Sequence, residues 1–138
     1  MSNGVIVPVL TKTRFDYSYL AASASQTVIL QPEICTVGYY YFQLIVRVHE
    51  RSFAGSQTVV VSLYNVLPSS EDPREFSSPT TTYNITITGA SPSSVPGILS
   101  LSGSDPGAYM KLVLTASQPI GPGTLYAELS AALVLRSA

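Results

Sequence analysis

The longest alternation in the chain runs from Thr36 to Arg51, TVGYYYFQLIVRVHER, and its aromatic and β-branched bulk reads as a β-strand. Residues two apart share a face of a strand. Tyr40, Phe42, Leu44, Val46 and Val48 therefore form one side, uniformly apolar and expected in a core. The other side carries Tyr39, Tyr41, Gln43, Ile45, Arg47 and His49. Tyrosines and an isoleucine beside an arginine and the chain's sole histidine suit a surface half covered by something polar, either the protein's own loops or another chain. Tyr39, Tyr41, Ile45, Arg47 and His49 are accordingly candidate interface residues.

Further strands read on both sides of this one. In Gly4 to Leu10, Pro8 removes a ladder donor, which predicts an edge position or a bulge. Lys12 and Arg14 then alternate with Thr11, Thr13 and Phe15, a charged outer face that discourages stray pairing. Tyr19 to Ser25 reads as a short helical turn or a loop, and Gln26 to Leu30 as a strand stopped by Gln31-Pro32-Glu33. After the long strand, a turn around Gly55 leads to Thr58 to Leu67, the expected partner in a hairpin. The run 68–79, PSSEDPREFSSP, is a long surface loop whose Phe76 either anchors it or meets a partner, making Phe76 a further interface candidate.

Thr80 to Thr88 directs Tyr83, Ile85 and Ile87 inward and threonines outward, and Gly97 to Ser102 is a short strand before the turn Gly103 to Gly107. Ala108 to Ser117 and Thr124 to Arg136 read as a second hairpin across QPIGPG. In its last strand Leu125, Ala127, Leu129, Ala131, Leu133 and Leu135 face one way, and Tyr126, Glu128, Ser130, Ala132, Val134 and Arg136 the other. Eight or so strands with Gly/Pro turns specify an all-β protein: an antiparallel β-sandwich of about eight strands, of jelly-roll or Greek-key type. The expectation is one domain over 1–138, with 1–13 either an arm that adds a strand to a neighbour or a strand of the domain's own sheet.

Composition narrows the function. Charged residues make up 11% of the chain, against about 25% in average proteins, so Ser, Thr, Tyr and Gly must cover the surface. Weak repulsion between copies then favours permanent packing against neighbours. A net charge of −1 with no basic run argues against nucleic acid as a partner. No apolar run approaches the ~20 residues of a membrane-spanning helix. The start, MSNGVIVPVLTKTRF, lacks the pattern of a signal peptide, so an extracellular destination would be reached by another route, such as a particle released by lysis.

The constellations of catalysis are missing from the pattern. The one candidate base, His49, lies in a strand without a Gly-x-Ser-x-Gly elbow, and one histidine with one cysteine falls short of a zinc site. Glu50 and Glu128 are a conceivable but unsupported glycosidase pair. Glu71, Asp72, Glu75 and Asp105 lie in loops without calcium-loop spacing. His49 beside Arg47 and Glu50 suits a pH switch or a surface histidine without a task. Asn84-Ile85-Thr86 matches a glycosylation sequon, though nothing indicates a secretory route. Cys35, being alone, is expected to be a small buried hydrophobe. No enzyme, cofactor or metal is expected.

In its unsignalled start, its Ser/Thr/Tyr surface, its scarcity of charge and its lack of a site, the chain resembles small structural and accessory proteins of bacteriophage particles, such as capsid cement or decoration proteins and other minor virion components. The resemblance is one of whole-chain character, without a motif, so it transfers no functional residue. It implies a virion component assembled in the host cytoplasm and acting through oligomeric contacts, commonly trimers for decoration proteins, with a major capsid or other virion protein as partner. A reading from another class is a carbohydrate-binding or adhesive sandwich in which Tyr39, Tyr41 and Tyr64 form an aromatic platform.

Overall fold

Eight strands form among the described residues: β1 (Gly4–Asp16), β2 (Ala24–Cys35), β3 (Tyr41–Phe53), β4 (Thr58–Val66), β5 (Thr82–Ile87), β6 (Gly97–Ser104), β7 (Tyr109–Gln118) and β8 (Leu125–Arg136). The structure is a computed structural model and describes residues 4–53, 55–66, 82–119 and 123–137; the loop 68–79 with Phe76, Glu71, Asp72 and Glu75 lies outside them. Two antiparallel four-stranded sheets result, sheet A in the order β1-β8-β3-β6 and sheet B in the order β2-β7-β4-β5. The pairs β1–β8, β2–β7, β3–β6 and β4–β5 are nested, as in one long hairpin wound up, and β3–β8 and β4–β7 close the winding. That is the connectivity of a jelly roll.

Alternation explains which side of each sheet is dry. On β8 the predicted row from Leu125 to Leu135 is buried throughout, facing Phe42, Leu44, Val46 and Val48 of β3 on the same side of sheet A. Val59, Val61 and Leu63 of β4, Ile85 and Ile87 of β5, and Met110, Leu112, Leu114 and Ala116 of β7 close the core from sheet B. Two buried glutamines brace one end, where Gln57 Nε2 donates to Gln118 Oε1 at 2.6 Å and Gln118 Nε2 to the Gly123 carbonyl at 3.3 Å.

Several sequence expectations are corrected. The two predicted hairpins do not exist, because β3 and β4, and likewise β7 and β8, lie in opposite sheets. A connection of four to six residues at ~3.3 Å each crosses the ~10 Å between sheets as readily as it turns a hairpin, and the side-chain pattern is the same in both cases. The long strand begins at Tyr41. Thr36 to Tyr40 form a turn, with Gly38 at φ 88° and Tyr39 N–H donating to the Thr36 carbonyl, and this leaves Tyr40 exposed instead of in the core. β2 runs on through Pro32 to Cys35, with register shifts between Ile29 and Ile34; Ile34 keeps the inward side of Val28 and Leu30, and Cys35 is exposed rather than buried. β1 is no free arm over its described length. It pairs with β8 from Gly4 to Asp16, an edge strand with irregularities beside Pro8 as its sequence predicts.

Candidate functional site

The outer face of sheet A gathers most of the candidate residues. Period two puts Tyr41, Gln43, Ile45 and Arg47 of β3 outward, and pairing places them beside Ser104, Ser102, Ser100 and Ile98 of β6 and beside Arg136, Val134, Ala132 and Ser130 of β8. From β1, Ile6 stands next to Val134 and Pro8 next to Ala132. Ile6 is 69% exposed, Ile98 59% and Tyr41 48%, while Ile45 is half-buried between its neighbours. The upper part of this face is thus an uncharged surface of isoleucine, valine, alanine and serine bounded by Arg47 and Arg136.

Its lower part is charged and internally paired. A register shift between Val48 and Glu50 sets Glu50 opposite Glu128, two like charges on neighbouring strands. β1 supplies the counter-charges: Lys12 Nζ lies 3.2 Å from Glu128 Oε1, and Arg14 Nη1 3.8 Å from Glu50 Oε2 with its guanidinium 3.8 Å over the Tyr126 ring. The two glutamates offered by the sequence as an acid pair are therefore neighbours on an open sheet face, tied to cations rather than flanking a cleft. His49 sits at the register shift, half-buried, with Nε2 2.8 Å from Ser130 Oγ.

Other candidates are dispersed. Tyr39 lies in the turn before β3, half-buried against the core, and Tyr64 faces outward from sheet B between Lys111 and Thr82. Tyr41 and Tyr64 thus belong to opposite faces of the sandwich, and the aromatic platform is not assembled. Tyr41 instead meets Tyr40 edge-on, ring centroids 4.8 Å apart. A groove of ≈ 390 Å³ opens beside this pair, lined by Tyr41, Gln43, Ser102, Gly103, Val134 and Arg136. Asn84 of the sequon is exposed on β5 and accepts a hydrogen bond from Ser62 Oγ at 2.7 Å. Among the described residues, no group of three or more His, Cys, Asp or Glu could hold a metal ion.

Titration is perturbed where β1 ends. Ser18 donates its hydroxyl and its N–H to Asp16 Oδ1 at 2.7 and 3.0 Å, which holds the Asp16 carboxyl below its ordinary range. Burial raises the neighbouring Tyr17 phenol, and Tyr19 adds to the effect. Both groups shape the turn between β1 and β2.

Sequence reasoning missed Ile6 and Ile98 as members of the outer face. Their strands carried the right alternation, but only the strand order brings them onto the same face as Ile45.

No protein-family model matches the chain, and a search of curated proteins finds no match. Solved structures do match. VP2 of infectious bursal disease virus, from a subviral particle, superimposes with a TM-score of 0.64 at 10% identity, covering 99% of this chain and 32% of that one. The same protein in the T13 viral particle gives 0.63 at 10% identity, with 99% and 31% covered. In T=1 particles it gives 0.61 at 11% identity, with 99% and 32% covered. The chain spans about a third of the length of these capsid proteins. At such identity the likeness is one of fold.

Proposed function

We propose that this chain is a structural component of a virus particle and works through protein–protein contacts rather than catalysis. The observation that carries this reading is the superposition of nearly the whole chain on a virion protein found in particles of different size. The surface agrees with it. The uncharged upper part of the outer face of sheet A, with Ile45 at its centre, Tyr41 at its Arg136 end and Arg47 and His49 toward the charged end, suits burial against a neighbouring subunit. In its finer form the role is that of a decoration, cement or other minor protein of a bacteriophage particle, self-associated as a trimer or another oligomer and bound to a major capsid protein. The location that follows is the virion.

The test is assembly. Light scattering after size exclusion, together with co-sedimentation with particle shells, should show a fixed oligomer or particle-bound protein. Ile45→Asp should weaken that association before it alters the melting temperature. A parent protein that stays monomeric and sediments with no particle contradicts the proposal.

A further inference from the structure

The two flanks of the sandwich differ in how their edge strands are protected. β1 and β2, side by side on one flank, carry Lys12, Arg14, Asp16 and Glu33, two prolines and four register shifts, all devices that discourage pairing with another chain. β5 and β6 lie side by side on the other flank. Neither contains a charge or a proline, both keep an unbroken register with their inner neighbour, and no charged residue occurs from Phe76 to Ser104. Among the described residues nothing pairs with the outer edge of β6.

We infer that the free edge of β6 pairs antiparallel with β6 of a second copy, joining two sheets A into one continuous eight-stranded sheet across a two-fold axis. This rests on the reading that the chain works through contacts with its own copies. The strand is complementary to itself. With Ser100 on the axis, Leu99 of each copy stands opposite Leu101 of the other on the inner face, and Ile98 opposite Ser102 on the outer. Leu99 and Leu101 are only half-buried, so this register finishes covering them, and it opposes no like charges.

The same rotation draws the uncharged β5 edge toward its copy. At a rise of about 3.3 Å a strand of this length is about 26 Å long, and two packed sheets are about 20 Å deep. The flank therefore buries about 500 Å² per copy, or about 1,000 Å² in total, where specific interfaces begin. A second copy is the favoured occupant because the pattern matches itself in register, face and charge.

Sedimentation velocity across the micromolar range tests the pairing with the parent and two variants. Ser100→Lys sets two ammonium groups opposite each other on the axis, and Thr27→Lys places the same charge on the exposed face of β2. The parent and Thr27→Lys should dimerise alike, and Ser100→Lys at least about tenfold more weakly. Ser102→Lys repeats the test if the first variant melts early. A parent that is monomeric throughout, or a Ser100→Lys protein that associates like the parent, overturns the pairing. If that protein still enters particles, the virion reading survives without it; if it enters none, both readings fall.

Discussion

The two flanks solve the same problem, an exposed strand edge, in opposite ways. Between β1 and β2 the sandwich is tied by a hydrogen bond, Gln31 Nε2 to the Val9 carbonyl at 2.9 Å, and its edges are bent and charged. Between β5 and β6 it is tied by rings. Phe42 meets Tyr83 of β5 edge-on with centroids 5.0 Å apart and lies across Gly103 of β6, where an added Cβ would stand 2.5 Å from its Cζ. The difference teaches that only one flank is defended against pairing. A protein that had to remain alone would defend both. An asymmetric edge directs association to one side, as the proposed role in a particle would require.

The largest expected effect comes from removing the pin of the plain flank. Phe42→Ala deletes a buried ring that touches both β5 and β6, and it should cost about 3–5 kcal/mol in urea unfolding. A loss below about 1 kcal/mol would mean that flank is held by something else. On the defended side, Gln31→Ala leaves the Val9 carbonyl without its side-chain partner and should cost about 1 kcal/mol, visible as a lower midpoint with an unchanged slope.

Smaller still is the stability effect of removing the edge charges. Lys12→Ser with Arg14→Ser breaks two exposed ion pairs worth at most about 1 kcal/mol together. Light scattering should nonetheless show more self-association than in the parent, because β1 then keeps Asp16 as its one charge. Equal scattering would assign the defence to Pro8 and the bulges alone.

The smallest effect belongs to Asp16. Its folded carboxyl is held below the ordinary range, so its contribution is present above the unfolded value of about 3.9 and is lost as pH falls through the folded value. Asp16→Ala should therefore melt slightly lower than the parent at neutral pH and approach it in acid. A gap that persists in acid would locate the effect in the backbone turn instead.

The sequence made the faces legible and left the neighbours hidden. Every inward residue of β8, and Phe42 through Val48 of β3, could be read from period two, because a one-residue slip would expose the whole row. The same pattern placed Tyr41, Ile45 and Arg47 on one surface. It says nothing about which strand lies alongside, so both hairpins were misassigned and the edge position of β6 could not be seen. Local turns misled in a second way. Tyr40 follows the alternation, yet the turn at Gly38 leaves it outward, while Cys35, expected in the core as a lone small hydrophobe, shares the outward side of β2 with the exposed Thr27 and Ile29.

Amide hydrogen exchange, followed strand by strand as protein concentration rises, tests most directly whether the uncharged flank is the side that assembles. Amides of β6 should exchange progressively more slowly as copies pair, while those of β1 and β2 keep their rates. Slowing confined to β1 and β2, or no dependence on concentration in any strand, would contradict the account.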